Sequence, residues 1–144
     1  MQITQRQRWM AVLARASGTE LEPHRPLVTG YTTVRGPELG LIMLQGRAGG
    51  AGAAFNLGEA TVTRCTVQDA AGRVGHAYTI GRDLLQAELA AALDAALQDP
   101  ARHDALQDHV IAPLAAEQRR RRETQARRAA ATQVQFFTLA TMRS

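Results

Sequence analysis

The sequence predicts a single α+β domain: an antiparallel sheet of four or five strands, a packed helix layer and a helical C-terminal arm. Three observations carry that prediction. Strand-forming stretches joined by short links fill residues 28–80, the pattern of an antiparallel meander. After residue 83 the apolar spacing lengthens to helical. Beyond Pro113 the chain stays helix-prone but has alanines among arginines and glutamines instead of a wide apolar stripe. The organisation expected is a core domain over 1–112 and a helix with an apolar tail over 113–144.

The elements follow in order. Thr4-Gln5-Arg6-Gln7 has capping-box spacing, and Trp9, Val12, Leu13 and Ala16 then share one helical face. Ser17-Gly18 ends that helix, and Pro23 and Pro26 mark turn, loop or helix fragments. Residues 28–34 read as a strand, broken at Gly36-Pro37. Leu41-Ile42-Met43-Leu44 is a continuous apolar run, the mark of a strand covered on both faces. A glycine-rich loop spans 46–52. Residues 55–57 and 60–68 are strand-like about Gly58, and Asp69-Ala70-Ala71-Gly72 is a hairpin turn. The last strand, 74–80, sets Val74, His76, Tyr78 and Ile80 on one face.

Asp83 is placed to cap a helix whose stripe is Leu85, Leu89, Ala92, Leu93 and Ala96. Asp99-Pro100 stops it and can start another, with Leu106 and Val110 inward, and Pro113 is expected to break the chain again. The tail, 134–142, is apolar and holds Phe136 and Phe137. Left in water it would be an aggregation hazard, so Val134, Phe136, Phe137, Leu139 and Met142 are the candidate partner interface. The alternative is that the tail returns as an edge strand on its own sheet.

Composition bounds the function. At 144 residues, with one Trp, two Tyr and three Phe, the chain can build one modest core. All 17 basic residues are arginine, and the net charge is +4. Six of them fall between Arg119 and Arg128, and the remainder is close to neutral. Such a run is ordinarily a solvated helix face. A nucleic-acid-binding module is the rival reading, but no groove-reading motif or interleaved aromatic accompanies the run. One cysteine, Cys65, excludes an internal disulfide and a single-chain cysteine cage. No apolar run is long enough for a membrane span, and the polar residues 1–8 do not form a secretion signal, so a cytoplasmic protein is expected.

The residues offer few chemical groups in catalytic spacing. Gly49, Gly50 and Gly52 present small-residue amides that can cradle an anion beside Arg47. No Gly-Lys-Ser/Thr closes that loop and a strand follows it, so it is neither a P-loop nor a dinucleotide fingerprint. Arg82 precedes the expected cap Asp83, where free helix amides favour anions, and Arg64 lies on a strand beside Cys65. These six residues are the candidate ligand-binding set; the alternative for each is a structural turn, cap or strand position. Cys65 reads as a small buried hydrophobe. His24, His76, His103 and His109 lack metal-ligand spacing. No nucleophile–base set can be assembled, so no catalytic residue and no metal ligand is assigned.

Several segments, in order along nearly the whole chain, carry a resemblance. They are Arg8-Trp9-Met10-Ala11-Val12-Leu13-Ala14, Gly40-Leu41 with 45–52 and Phe55, the segment 57–65, Gly81-Arg82-Asp83 with Ala87-Glu88, Asp94-Ala95-Ala96-Leu97, Ile111-Ala112-Pro113-Leu114, and 131–138. Together they resemble the PhnG family, the G subunits of bacterial phosphonate carbon–phosphorus lyase core complexes. Ala51, Gly46 and Gln133 depart from the threonine, alanine and arginine expected there, and Ala51 removes a hydroxyl from the glycine loop. The resemblance implies a subunit, inactive alone, that works with H, I and J subunits while an L subunit assists. The complex would join an alkylphosphonate to ribose C1 of ATP, with the I subunit as its catalytic centre. Adenine leaves, giving α-D-ribose 1-alkylphosphonate 5-triphosphate, and carbon–phosphorus cleavage follows later on the iron–sulfur J subunit. ATP and alkylphosphonate are thus substrates of the complex, and this chain holds no cofactor. Two roles follow as alternatives: accessory support of the transferase step, or direct phosphate ligands in a shared active site.

Overall fold

The computed structural model describes residues 3–47 and 52–142, the last eight of them by backbone alone. Helix α1, Gln5–Arg15, begins with the expected box: the Thr4 hydroxyl accepts from Gln7 N and the Gln7 side chain accepts from Thr4 N. Ser17 and Glu20 repeat the device at the short α2, Gly18–Leu21, and a 3₁₀ turn, Glu22–Leu27, carries the two prolines. Three antiparallel strands follow in sheet order β1-β2-β3: Thr32–Arg47, Ala54–Gln68 and Val74–Ile80. Helix α3, Leu84–Leu97, then leads to α4, His103–Leu106, a π turn, Gln107–Ile111, and the long α5, Ala112–Met142.

The described sheet therefore has three strands, not four or five, because two expected breaks are bulges. Gly36-Pro37 sits inside β1, where the register slips between Arg35 and Glu38. Gly36 takes φ +78°, and a Cβ there would lie 2.5 Å from the Arg64 carbonyl oxygen. Proline is tolerated at this point because β1 is an edge strand. Gly58, at φ +148°, lies opposite Leu44 beside a second slip. Each bulge bends a long strand without ending it.

The residues on β3 separate as alternation demands: Gly75, Ala77 and Thr79 are buried, and His76, Tyr78 and Ile80 lie on the other face. The buried face meets α3, which sequence marks with one stripe but which is buried nearly all round. Leu85, named for that stripe, is only half-buried, while Ala87, Ala90, Ala91 and Ala95 are enclosed. The helix is sandwiched between sheet and α1 with α2, and a helix covered on every side needs small apolar residues all round. Gly75 permits the closest approach: a Cβ there would lie 1.9 Å from Ala91 O and 2.7 Å from Ala95 N.

Pro113 does not break the chain. It falls in the first turn of α5, directly after the π turn, so the missing N–H falls where the ladder has already loosened. Leu114 and Gln118 are the last side chains of α5 among the described residues to be buried, and Gln118 Nε2 donates to Val12 O at 2.9 Å. The backbone stays helical through Met142, so the tail is not an edge strand. At 31 residues α5 is about 46 Å long. Among the described residues no helix is long and apolar enough to cross a membrane.

One buried carboxylate ties the layers together. Asp94 on α3 is fully enclosed and accepts from Trp9 Nε1 at 2.8 Å, His76 N at 2.9 Å, and Arg6 Nε and Nη2 at 3.2 and 2.8 Å. Hydrogen bonding to Asp94 raises the Arg6 pKa above its ordinary value.

Candidate functional site

The structure separates the arginines proposed from sequence. Arg47 is exposed at the end of β1, opposite Ala54. Arg64 lies mid-way along β2, opposite Glu38 and Tyr78. Ten strand residues separate Ala54 from Arg64, roughly 30 Å of β-strand, so Arg47 and Arg64 do not converge on one phosphate group. Glu38 Oε1 sits 2.8 Å from Arg35 Nε and 3.4 Å from Arg64 Nη2, sharing one carboxylate between two cations. Arg82 is exposed beside Gly81, whose N–H donates to Thr61 O. Gly52 lies in a bend, and Gly49 and Gly50 fall outside the described residues.

Asp83 caps α3 by accepting from Gln86 N at 3.0 Å and also accepts from Gly18 N at 2.9 Å. One side chain thus holds the starts of two helices, and its carboxylate occupies the place an anion would take at α3. The ring of His103 stacks obliquely on Trp9, its Nδ1 donates to Leu97 O at 2.9 Å, and its Nε2 accepts from Gln5 Nε2 at 2.9 Å. The His76 ring meets Thr66 Oγ1 at 3.2 Å. Among the described residues no group of three or more His, Cys, Asp or Glu could hold a metal.

Cys65 is 2 % exposed. Burial, with Glu88 nearby, pushes its thiol up to about 11. The neighbouring Tyr31 hydroxyl donates to Glu88 at 2.8 Å and is pushed up to about 12, chiefly by burial. Both groups are held protonated. Their raised pKa values stabilise the fold fully below the unfolded values, and that contribution is lost as pH rises through 11–12. The thiol shift from 9.0 to about 11 leaves about a hundredfold less thiolate. Alkylation of Cys65 at pH 8 is therefore expected to be at least that much slower in native protein than in urea; equal rates would place the thiol outside the core.

A groove of about 330 Å³ between α1 and β3 is lined by Met10, Ala11, Ala14, His76, Ala77 and Tyr78 among others. It offers no acid–base pair. What the molecule does offer is projecting surface. Beyond the Val62–Ile80 pairing, β1 and β2 continue as a two-stranded ribbon, and Leu41, Met43, Leu44, Phe55 and Leu57 on it are exposed. Leu41, Met43 and Leu44 are exposed and Ile42 is half-buried, so among the described residues the run 41–44 is not covered on both faces, against the sequence expectation. The second projection is α5, where Arg121 pairs with Glu20 at 3.3 Å and Glu117 at 3.4 Å. Arg120 pairs with Glu117. Val134 is exposed; Phe136, Phe137, Leu139 and Met142 lie among the residues described by backbone alone, on a helical segment.

A family model described as phosphonate metabolism protein PhnG matches residues 4–142. The chain belongs to the PhnG family. The match spans both the compact body and the helical arm, so the family's features are those of the whole fold. A curated relative from Rhizobium meliloti (strain 1021) is 44% identical over 146 residues, covering 95% of this chain and 89% of its own length. That relative is named alpha-D-ribose 1-methylphosphonate 5-triphosphate synthase subunit PhnG.

Proposed function

We propose that the chain is a non-catalytic subunit of an alpha-D-ribose 1-alkylphosphonate 5-triphosphate synthase. In this role it supports transfer of an alkylphosphonate to ribose C1 of ATP with release of adenine, in phosphonate catabolism. The observation that carries the reading is 44% identity across 95% of the chain to a named synthase subunit. The H, I and J subunits are its partners, with the L subunit assisting, and the reaction takes place in the cytoplasm. Direct phosphate ligation by Arg47, Arg64 and Arg82 is the weaker variant, because Arg64 already shares Glu38 and lies far along the strand from Arg47.

The arm supplies the attachment. A helix that is polar nearly all round gains little from its own core once past Gln118, yet it ends in Val134, Phe136, Phe137, Leu139 and Met142. Burying two phenylalanines against a partner would contribute roughly 3–6 kcal/mol. The test is adenine release from ATP plus methylphosphonate by the chain alone, by the other subunits alone, and by the reconstituted set. Activity is expected only with the full set; turnover by the isolated chain would end the accessory reading. Phe136→Ala with Phe137→Ala should leave thermal melting of the lone chain unchanged and abolish co-purification. A lowered melting temperature with binding intact would assign the tail to the chain's own core.

A further inference from the structure

We propose that the β1–β2 ribbon inserts into an apolar cleft of another subunit of the same synthase, which closes on both of its faces. The inference rests on the subunit reading above and adds a second attachment, separate from the α5 arm.

The ribbon is the part of the sheet that the chain leaves unsupported. Strand β3 pairs only as far as Val62, and beyond it Leu41 to Leu44 pair with Thr61, Ala60, Glu59 and Gly58 alone. A two-stranded hairpin is at best marginally stable in water. Residues directly opposite share a face. Leu39, Leu41 and Met43, opposite Thr63, Thr61 and Glu59, therefore prolong the face that α3 covers nearer the body. Ile42 and Leu44, opposite Ala60 and Gly58, prolong the other face, continuous with Tyr78 and Ile80. Leu41 is 69 % exposed, Leu57 64 % and Ile80 73 %.

The area identifies the kind of contact. Over the two faces of the ribbon, Leu39, Leu41, Met43, Leu44, Phe55 and Leu57 together leave roughly 600 Å² in water. With Tyr78 and Ile80 the surface approaches the roughly 800 Å² that each partner gives a stable interface. Among the described ribbon residues beyond Gly40 and Val62, only Arg47 and Glu59 carry charge, so the matching walls are apolar. A second copy packing by a two-fold axis would cover one face or one edge of the ribbon and leave the other face wet. The chain's own apolar groove, 330 Å³, is too small for so many large side chains. A cleft in a different polypeptide satisfies both faces at once.

The chain is co-expressed with the other synthase subunits, and amide exchange is compared for the free chain and the complex. Amides of 39–47 and 54–61 are expected to exchange at least tenfold more slowly in the complex. The variant Leu41→Ser with Met43→Ser and Leu57→Ser should melt like the parent, since these side chains are exposed, and bind the other subunits at least a hundredfold more weakly. Assembly of the parent with unchanged ribbon exchange, or full assembly of the variant, overturns the inference and leaves the subunit reading standing. No assembly of the parent overturns the subunit reading and this inference with it. A dimer of the lone chain that the variant abolishes overturns the choice of occupant.

Discussion

Asp94→Ala should lower the stability of the isolated chain by about 2–6 kcal/mol, since two backbone or ring donors each lose an acceptor at about 1–3 kcal/mol. The loss exceeds that of the carboxylate alone. Trp9 Nε1–H would remain buried and His76 N–H part-buried without their acceptor, and the half-exposed Arg6 would lose its counter-charge. Asp94→Asn should recover part of the loss, because one amide oxygen can still accept from Trp9 or His76. In thermal melts the alanine variant is expected to fall by on the order of 10 °C or more. A midpoint within one or two degrees of the parent would mean that the four contacts do not form the junction described.

Gly75→Ala is the second large effect, and its sign runs against propensity. In an ordinary strand position alanine is favoured over glycine by roughly 0.5–1 kcal/mol. Here the added Cβ meets backbone, Ala91 O at 1.9 Å and Ala95 N at 2.7 Å, and neither can rotate away. β3 must lift from α3, opening the buried contact around Ala77, and a cost of about 3 kcal/mol is expected. Gly75→Val should be worse and leave too little native protein for a clean melt. Urea denaturation of the alanine variant decides the matter: stability equal to or above the parent would show that strand and helix are not in close contact.

Local signals were legible where the chemistry is local. Thr4 with Gln7, and Asp83 before Gln86, each satisfy helix N–H groups within three residues, so spacing alone identifies them. Alternation in 74–80 was legible for the same reason. Gly36, Gly58 and Pro113 misled because glycine and proline mark bulges and first turns as readily as breaks, and which one applies depends on a neighbouring strand or turn. Asp94 left no mark as a junction: it stands in an alanine-rich helix, and its side-chain donors are 85 and 88 residues away. The apolar run 41–44 was read as needing cover on both faces. Among the described residues Leu41, Met43 and Leu44 stay exposed, because the third strand pairs only as far as Val62, a limit set by the β3 partner and not by the run itself.

The junction at Asp94 also sets an order on synthesis. Trp9 waits for an acceptor made 85 residues later, and at about 5–20 residues per second the ribosome needs roughly 4–17 s to reach it. Until then α1 has its capping box to shape it but no layer to dock on. The ribbon strands emerge inside that interval, so a large exposed apolar surface is made before the N-terminal helix can be fastened down.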